Sequence, residues 1–261
     1  MIIDTHVHIY PEKIADKAVE GIRDFYNMHI EYDGRISTLL REGKAAGVDK
    51  FIVQSVATVF EQVCSINNFI AQSASENPEL IGFGTLHPDF PDIPKEVERM
   101  ISLGLKGIKL HSDFQRFAID DERAFPIYEA AEGRLPILFH MGDTKSDFSA
   151  PERLVKVIGK FPRLTVIGAH FAGWSMWERA EKALAGTGIY TDCSSTLYTL
   201  SPERAAELIH KFGADKVLWG TDYPMWNYAD EINRFNALPL SDEEREMILG
   251  ENALKLLTTG E

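Results

Sequence analysis

The chain has 261 residues, 44% of them hydrophobic and 26% charged, which is an ordinary composition for a globular protein that can bury a large core. Its formal net charge of −13 repels phosphate backbones and argues against a nucleic-acid partner, and its two cysteines are too few for a disulfide framework. Neither a signal peptide nor an apolar run of about 18 residues is visible, so the sequence predicts a cytoplasmic protein with no membrane span.

Short runs rich in β-branched and aromatic residues recur along the chain, and each is followed by a longer segment with helical spacing. The predicted strands are residues 1–8, 50–56, 80–86, 105–111, 135–141, 164–170, 188–194 and 216–222. Helical patterns lie between and after them, near residues 11–27, 35–46, 60–76, 93–103, 121–132, 151–161, 175–185, 201–212 and 241–257.

Strands that alternate with helices predict a parallel sheet, and eight such units in a chain of this length predict a closed barrel. We therefore predict a single-domain α/β protein, a (β/α)8 TIM barrel that spans residues 1–261. The main alternative is an open, doubly wound sheet. That alternative is weaker because no G-x-G-x-x-G turn follows the first predicted strand.

Polar side chains with metal-binding groups stand at the C-terminal ends of five of the eight predicted strands. In a barrel, the loops that follow these ends form the active site. An imidazole or a carboxylate beside an apolar strand is costly unless it is paired, hydrogen-bonded or bound to a metal. The residues are His6, His8, Lys109, His111, His140, His170 and Asp222.

His6 and His8 carry the most information, because side chains two residues apart in a strand point to the same face. Both can converge on one ion in the mouth of the barrel, and Asp4, one step deeper, could orient an imidazole. Together with the other strand-end histidines and Asp222, they predict a site for a divalent transition metal. Zinc is our first choice, with manganese, iron or cobalt as alternatives, and the number of histidines disfavours calcium or magnesium.

Lys109 has three interpretations that the sequence leaves open. It can be a cation that binds a substrate carboxylate, a carboxylated lysine that bridges two metals, or a buried lysine paired with an acid, and we favour the first. His111 has a similar choice between a substrate contact and a packed rim residue. Arg116 is a further candidate for binding an anionic group, and Trp174 is expected either at the pocket mouth or against the adjacent helix.

Six short motifs together resemble those of the amidohydrolase superfamily, over essentially the whole chain. Within it, the chain is similar to the amidohydrolase-related branch that contains aminocarboxymuconate-semialdehyde decarboxylase, γ-resorcylate decarboxylase and pyrone-dicarboxylate lactonase. A single H-x-H is unspecific, whereas the ordered set across several strands is specific for the superfamily. The motifs are D-x-H-x-H near the N-terminus, GIKLH, LFHMGD, VIGAH, GTDYP and GENALKLL.

The resemblance implies roles for individual residues. It implies that His170 lies near the metal-bound water, and that Asp222 both binds the metal and handles a proton. Lys109 stands where two-metal members of the superfamily often place a bridging ligand, although a single metal is commoner in this branch. The implied metal ligands are His6, His8, His140 and Asp222.

From these roles we expect first a metal-dependent hydrolase that cleaves an ester, lactone or amide of a small, carboxylate-bearing substrate. A metal-activated water would attack, Asp222 would accept its proton and His170 would steady the oxyanion. Lys109, His111 or Arg116 would bind an anionic group of the substrate.

Two other functions are kept open. The first is non-oxidative decarboxylation of a small aromatic or unsaturated acid, which the same ligands support; we rank it second because known decarboxylases of the branch are longer than this chain. The other is a binding barrel without catalysis, which is disfavoured because none of the expected ligands is missing. Barrels of this kind often dimerise, so we expect a homodimer over a monomer, although no stretch of sequence identifies an interface.

Overall fold

A computed structural model of the chain describes residues 1–258, and every predicted strand forms in it. The strands lie in sequential order, and each pairs in parallel with the next. They are Ile3–His8 (β1), Lys50–Gln54 (β2), Leu80–Thr85 (β3), Gly107–Leu110 (β4), Ile137–Phe139 (β5), Val166–Gly168 (β6), Tyr190–Asp192 (β7) and Val217–Leu218 (β8). The protein is therefore a single-domain (β/α)8 TIM barrel, as the alternating pattern predicted.

The helices follow the strands around the barrel. They are Ala15–Tyr26 (α1), Ile36–Ala45 (α2), Val63–Glu76 (α3), Ile93–Ser102 (α4), Ser112–Gln115 (α5), Phe125–Ala131 (α6), Pro151–Lys160 (α7), Ala169–Ala172 (α8), Trp177–Leu184 (α9), Pro202–Phe212 (α10), Tyr228–Asn236 (α11), Asp242–Glu246 (α12) and Asn252–Thr258 (α13), with a π-helical turn at Met247–Glu251. None of the helices within residues 1–258 combines the length and apolar character that crossing a membrane requires.

The first and last strands are joined by hydrogen bonds that close the barrel. The amide of Thr5 donates to the carbonyl of Trp219 at 3.0 Å, and the amide of His8 donates to the carbonyl of Tyr223 at 2.7 Å. The second bond lies just beyond the end of β8, at the level of the candidate metal ligands. Closure therefore sets the distance between the first-strand histidines and Asp222.

Asp4 strengthens this closure, and it does so differently from the sequence-based expectation. Its carboxylate accepts hydrogen bonds from the backbone of His6, from the backbone and hydroxyl of Thr221, and from the phenol of Tyr228. Within residues 1–258, no hydrogen bond joins this side chain to an imidazole ring. Burial raises the pKa of this carboxyl to about 6, although the hydrogen bonds from Thr221, Tyr228 and His6 oppose the shift.

The candidate ligands lie mostly beyond the strands rather than inside them. His111 and His140 come directly after β4 and β5, His170 two residues after β6, and Asp222 four residues after β8. The strands are shorter than predicted because the chain turns away from the sheet at these polar residues. The ligand side chains are therefore carried by short, mostly buried loops at the C-terminal mouth of the barrel.

Helix α11 was not predicted from the sequence. Asn227 caps it by accepting hydrogen bonds from the amides of Ala229 and Asp230, and only three of its nine residues are buried. Its apolar residues Tyr228, Ile232 and Phe235 recur with helical spacing, although the helix is only nine residues long. It nonetheless positions Tyr228 against Asp4, and so contributes to barrel closure.

An apolar cluster fills the interior of the barrel, separate from the larger layer between the strands and the surrounding helices. Every strand except β4 contributes to this cluster, and two residues of α13 join it. Its buried members are Ile3, Ile52, Phe83, Leu138, Ile167, Ala169, Tyr190, Leu218, Ala253 and Leu256.

Replacement of Leu218 by alanine is expected to lower the free energy of unfolding by about 2–5 kcal/mol, because the close-packed barrel interior cannot collapse around the lost side chain. Leu254→Ala is the matched control, since that leucine is 44% exposed, and its effect should stay within about 0.5 kcal/mol. Urea unfolding followed by circular dichroism measures both. Equal losses would show that the interior cluster is not packed as described.

Candidate metal centre and active site

A cavity of about 770 Å³ opens at the C-terminal ends of the strands. Eight of the nine candidate site residues line it, while Lys109 does not. The sequence therefore singled out residues far apart in the chain that the fold brings to one cavity. The eight that line it are His6, His8, His111, Arg116, His140, His170, Trp174 and Asp222.

His6, His8 and Asp222 converge at the floor of this cavity. Nε2 of His6 lies 3.2 Å from Nε2 of His8, and Oδ1 of Asp222 lies 3.5 Å and 3.6 Å from these two nitrogens. Ligand atoms that bind one metal at about 2.1 Å lie about 3.4 Å apart in a tetrahedral site. The three atoms thus have the spacing of a metal-binding group, and their chemistry suits a divalent transition metal.

Asp192 orients His6 and was not singled out in the sequence. The Nδ1–H of His6 donates to its Oδ2 at 2.9 Å, which leaves Nε2 as the acceptor facing His8 and Asp222. Burial alone would raise the pKa of Asp192, but His6 and His170 hold that pKa well below its usual value. A carboxylate behind a ligating imidazole is a frequent support of metal sites. The signal was missed because the predicted seventh strand ran two residues beyond Asp192.

Asp192→Asn is expected to weaken metal binding about 10–100-fold, because the amide no longer fixes the tautomer and basicity of His6. The dissociation constant can be measured by competition with a chromophoric chelator. Asp215→Asn, on an exposed turn between α10 and β8, serves as the control for the loss of one negative charge. An unchanged dissociation constant in Asp192→Asn would contradict this role of the carboxylate.

His140 and His170 face each other through two acceptor nitrogens. Nε2 of His140 donates to the carbonyl of Gly142, and Nδ1 of His170 donates to the carbonyl of Ser194, both at 2.9 Å. The opposite nitrogens, Nδ1 of His140 and Nε2 of His170, are then only 3.2 Å apart. Two lone pairs this close repel each other unless a proton or a cation lies near them.

Burial favours the neutral form of both imidazoles. It lowers the pKa of His170 to about 4, although the charge of Asp222 opposes the shift. Burial, together with the neighbouring His111 and His170, holds the pKa of His140 well below its usual value. Neutral imidazoles are the form that ligates metals. The pair therefore adds two available lone pairs to the site.

His170 and Asp222 both adopt left-handed backbone conformations, with φ of 62° and 61°. Such a conformation costs a non-glycine residue about 1–3 kcal/mol and persists only where the surroundings enforce it. At His170 the backbone amide donates to Oδ1 of Asp192 at 3.0 Å, which holds the turn. Strain at two candidate site residues is typical of functional positions.

Lys109 lies beneath the cavity rather than on its wall. Ile108 and Leu110 belong to the outer apolar layer, so the lysine between them points into the barrel. It is fully buried, and its Nζ lies 3.1 Å from Nε2 of His6. Burial lowers the pKa of its ammonium to about 8, against the opposing charges of Asp222 and Asp192. The structure thus places Lys109 against a candidate metal ligand.

Tyr26 enters the site from helix α1, and no sequence signal pointed to it. Its hydroxyl lies 3.0 Å from Nε2 of His111, and its ring packs edge-on against Trp174 with 5.6 Å between centroids. His111 in turn stacks on His140 at 3.9 Å. Arg116 lines the same cavity and has no ion-pair partner among residues 1–258. A free cation beside flat aromatic surfaces suits a planar anionic ligand.

A TIM barrel whose loops bring imidazoles and a carboxylate to one cavity defines a candidate metal-dependent barrel enzyme. The chain belongs to the family described as Amidohydrolase, which matches residues 3–258. This match confirms the superfamily that the motifs resembled.

A curated relative is 2-amino-3-carboxymuconate-6-semialdehyde decarboxylase of Dictyostelium discoideum, 26% identical over 239 residues. The match covers 74% of this chain and 65% of that relative, so this chain spans less than two thirds of the relative's length.

Two similar solved structures support the fold. 5-Carboxyvanillate decarboxylase of Sphingomonas paucimobilis has 18% identity and a TM-score of 0.74, with 98% of each chain covered. A dihydroxybenzoic acid decarboxylase of Polaromonas sp. JS666, solved with manganese and the inhibitor 2-nitroresorcinol, has 17% identity and a TM-score of 0.77. That match covers 100% of this chain and 97% of the other.

These comparisons correct the first functional expectation. The named relatives are decarboxylases, so the prediction of an ester, lactone or amide hydrolase was wrong as the leading interpretation. The error came from chain length, which was used to argue against decarboxylation. The two structurally similar decarboxylases align with nearly the whole of this chain, whereas the curated decarboxylase is covered to 65% of its length.

Proposed function

We propose that the protein is a metal-dependent, non-oxidative decarboxylase of a small aromatic or unsaturated carboxylic acid. The observation that carries this proposal is the convergence of His6, His8 and Asp222 on the floor of a cavity that also presents the unpaired cation Arg116. The names of the relatives support it, because they describe decarboxylases of carboxylated aromatic or unsaturated compounds.

One divalent metal would be held by His6, His8 and Asp222, with His140 as the further ligand. When bound, it would supply a Lewis acid that polarises the oxygens of a substrate carboxylate or an adjacent hydroxyl. Zinc remains the first prediction from the ligand set, and manganese is to be tested beside it because a structural relative was solved with that metal.

The remaining residues would bind and orient the substrate. Arg116 would pair with its carboxylate, the hydroxyl of Tyr26 held by His111 would offer a hydrogen bond, and Trp174 would pack against its plane. Lys109 would act from below, through its contact with His6, rather than by touching the substrate.

The chemical step exchanges carbon dioxide for a proton at one carbon. Asp222 would deliver the proton to the carbon that bears the carboxylate, the carbon–carbon bond would break, and its electron pair would stay on the ring as carbon dioxide leaves. His170 would stand beside Asp222 as a neutral hydrogen-bonding group.

The proposal is tested by incubating manganese-loaded and zinc-loaded protein with 2,6-dihydroxybenzoate, 2,4-dihydroxybenzoate and 5-carboxyvanillate. Loss of the substrate's absorbance together with release of carbon dioxide is the expected result. Benzoate, which lacks the hydroxyl, is the matched control. Failure to convert any hydroxylated acid while the metal stays bound would contradict the proposal.

Two wider predictions are kept as proposals. The family resemblance favours a homodimer, and the cytoplasm is kept as the proposed location. Light scattering coupled to gel filtration gives the mass in solution, and a mass near 29.4 kDa would contradict the dimer.

A further inference from the structure

Helix α1 crosses the mouth of the barrel instead of packing fully on its outside. It begins seven residues after His8 and ends at Tyr26, which contacts His111 and Trp174 beyond β4 and β6. Twelve helical residues span about 18 Å. Only Ala15 of this helix is buried, so most of its apolar side chains meet the cavity rather than the core.

One face of α1 lines the cavity. The lining positions recur with helical spacing along the whole helix, and Lys17 is the one charged residue among them. The long stem of Lys17 lets its ammonium reach solvent. These positions are Ile14, Lys17, Ala18, Gly21, Ile22, Phe25 and Tyr26.

A second helical face lines the same cavity. This face lies at the beginning of α3, where the lining positions recur with helical spacing. They are Gln62, Ser65, Ile66 and Phe69. Two of its polar groups are engaged locally, since Thr58 donates to the side-chain oxygen of Gln62, and the hydroxyl of Ser65 donates to the carbonyl of Gln62. This wall therefore offers a ligand mainly the apolar surfaces of Ile66 and Phe69.

Gly21 keeps this part of the cavity open. It lies in the middle of α1, where glycine is less favourable than alanine and nothing in the backbone demands it. A side chain added at this position would meet nothing within 4 Å. Its missing side chain thus leaves free volume on the cavity-lining face.

The cavity is larger than a single ring requires. Pockets of about 300–1,000 Å³ hold drug-sized ligands, and 770 Å³ lies in the upper part of that range. The imidazoles and Asp222 gather at the floor, while Ala18, Ile22, Ile66 and Phe69 supply apolar surface on the walls formed by α1 and α3, with Lys17, Gln62 and Ser65 among them. The excess volume is therefore bordered by these apolar side chains and is continuous with the candidate active site.

We propose that this apolar groove, formed by the lining residues of α1 and α3, receives an alkyl substituent on the ring of the substrate. The position of the ring in this inference rests on the proposed function. The groove adds the substrate class, which is an alkyl-substituted hydroxybenzoate. The alkyl chain leaves the ring held over the metal centre and lies beside Gly21.

Each methylene buried in the groove should tighten binding by about fourfold, from the usual transfer free energy of that group. Resorcinol and its 4-propyl and 5-propyl derivatives are the probes, because they resemble decarboxylation products and bind without reacting. Isothermal titration of the metal-loaded protein gives their dissociation constants. At least one propyl derivative is expected to bind about eightfold or more tightly than resorcinol, allowing for about half of the ideal burial.

Gly21→Trp fills the groove and should bring this affinity ratio close to one. Gly159→Trp is the matched control, since Gly159 is also within a helix, has nothing within 4 Å of an added side chain, and lies outside the cavity. The control should keep the ratio of the unaltered protein. Circular dichroism checks that both variants fold.

The groove proposal would be contradicted if resorcinol and its propyl derivatives bound the unaltered protein with similar dissociation constants. It would also be contradicted if a propyl derivative bound more tightly and Gly21→Trp left that difference unchanged. Neither result depends on turnover. A different result would reject decarboxylation but support the groove. In that case the dihydroxybenzoates would not react, while a propyl derivative would bind more tightly than resorcinol to the unaltered protein but not to Gly21→Trp. The two proposals can therefore fail separately.

Discussion

His6→Ala is expected to remove the metal and to lower turnover by at least about 1,000-fold, since Lewis-acid catalysis contributes several kcal/mol to transition-state stabilisation. His6 Nε2 lies 3.2 Å from His8 Nε2 and 3.5 Å from Asp222 Oδ1, so its removal opens one edge of the ligand group. The variant also leaves the buried carboxylate of Asp192 without its imidazole partner. Both effects act in the same direction.

Metal analysis by mass spectrometry, on protein purified without chelator or added metal, measures the first part of this prediction. The unaltered protein should carry one equivalent, and His6→Ala close to none. His29→Ala is the control, because that histidine is 83% exposed and its ion-pair partner within residues 1–258 is the surface residue Glu31. Two equivalents in the unaltered protein would assign Lys109 as a bridging ligand. No metal, with none taken up on addition, would contradict a metal-dependent enzyme.

The sequence predicted His6 and His8 because strand geometry is local. Their two-residue spacing places both side chains on one face whatever the rest of the fold does. Asp222 could be added because barrel strands end at a common face, so its position in the eighth unit brings it near the first. The barrel fold and the convergence of His6, His8 and Asp222 could therefore largely be predicted from the periodic pattern of the sequence.

Asp192 and Tyr26 could not be found in this way. Asp192 lies inside β7, and only the pairing of β7 beside β6 and β8 brings it behind His6. Tyr26 depends on the direction in which α1 leaves the barrel, which is set by tertiary contacts rather than by helical period. Lys109 shows the same limit. Its place in the fourth strand was predicted, but its burial below the cavity depends on how the barrel interior packs.

The contrast between α1 and α11 shows the same limit for secondary structure. Helix α1 has a continuous apolar face and was predicted, but that face lines a cavity instead of the core. Helix α11 packs against the barrel with only three buried residues and was missed. Amphipathic period thus predicts that a helix forms, while what covers its apolar face is decided by the assembled fold.

Asp222→Asn is expected to lower turnover by about 100- to 10,000-fold with the metal still bound, because an amide cannot carry the proton. Asparagine keeps an oxygen that can ligate a metal, so metal content at saturating metal should fall little. The decisive readout is exchange of the ring hydrogens of resorcinol with deuterium from the solvent, followed by nuclear magnetic resonance. That exchange is the protonation step run on the product, so Asp222→Asn should lose it together with turnover.

Ser195→Ala separates proton transfer from the positioning of the same carboxylate. Ser195 donates to Oδ2 of Asp222 at 2.6 Å and accepts from the indole of Trp226 at 2.8 Å, so it holds Asp222 without reaching the ligand oxygen Oδ1. Its removal should lower turnover by about 10- to 100-fold, the scale of one hydrogen bond to a charged group. If Asp222→Asn exchanged deuterium and turned over at near-normal rates with its metal bound, another group would have to carry the proton, and His170 would be the first to test.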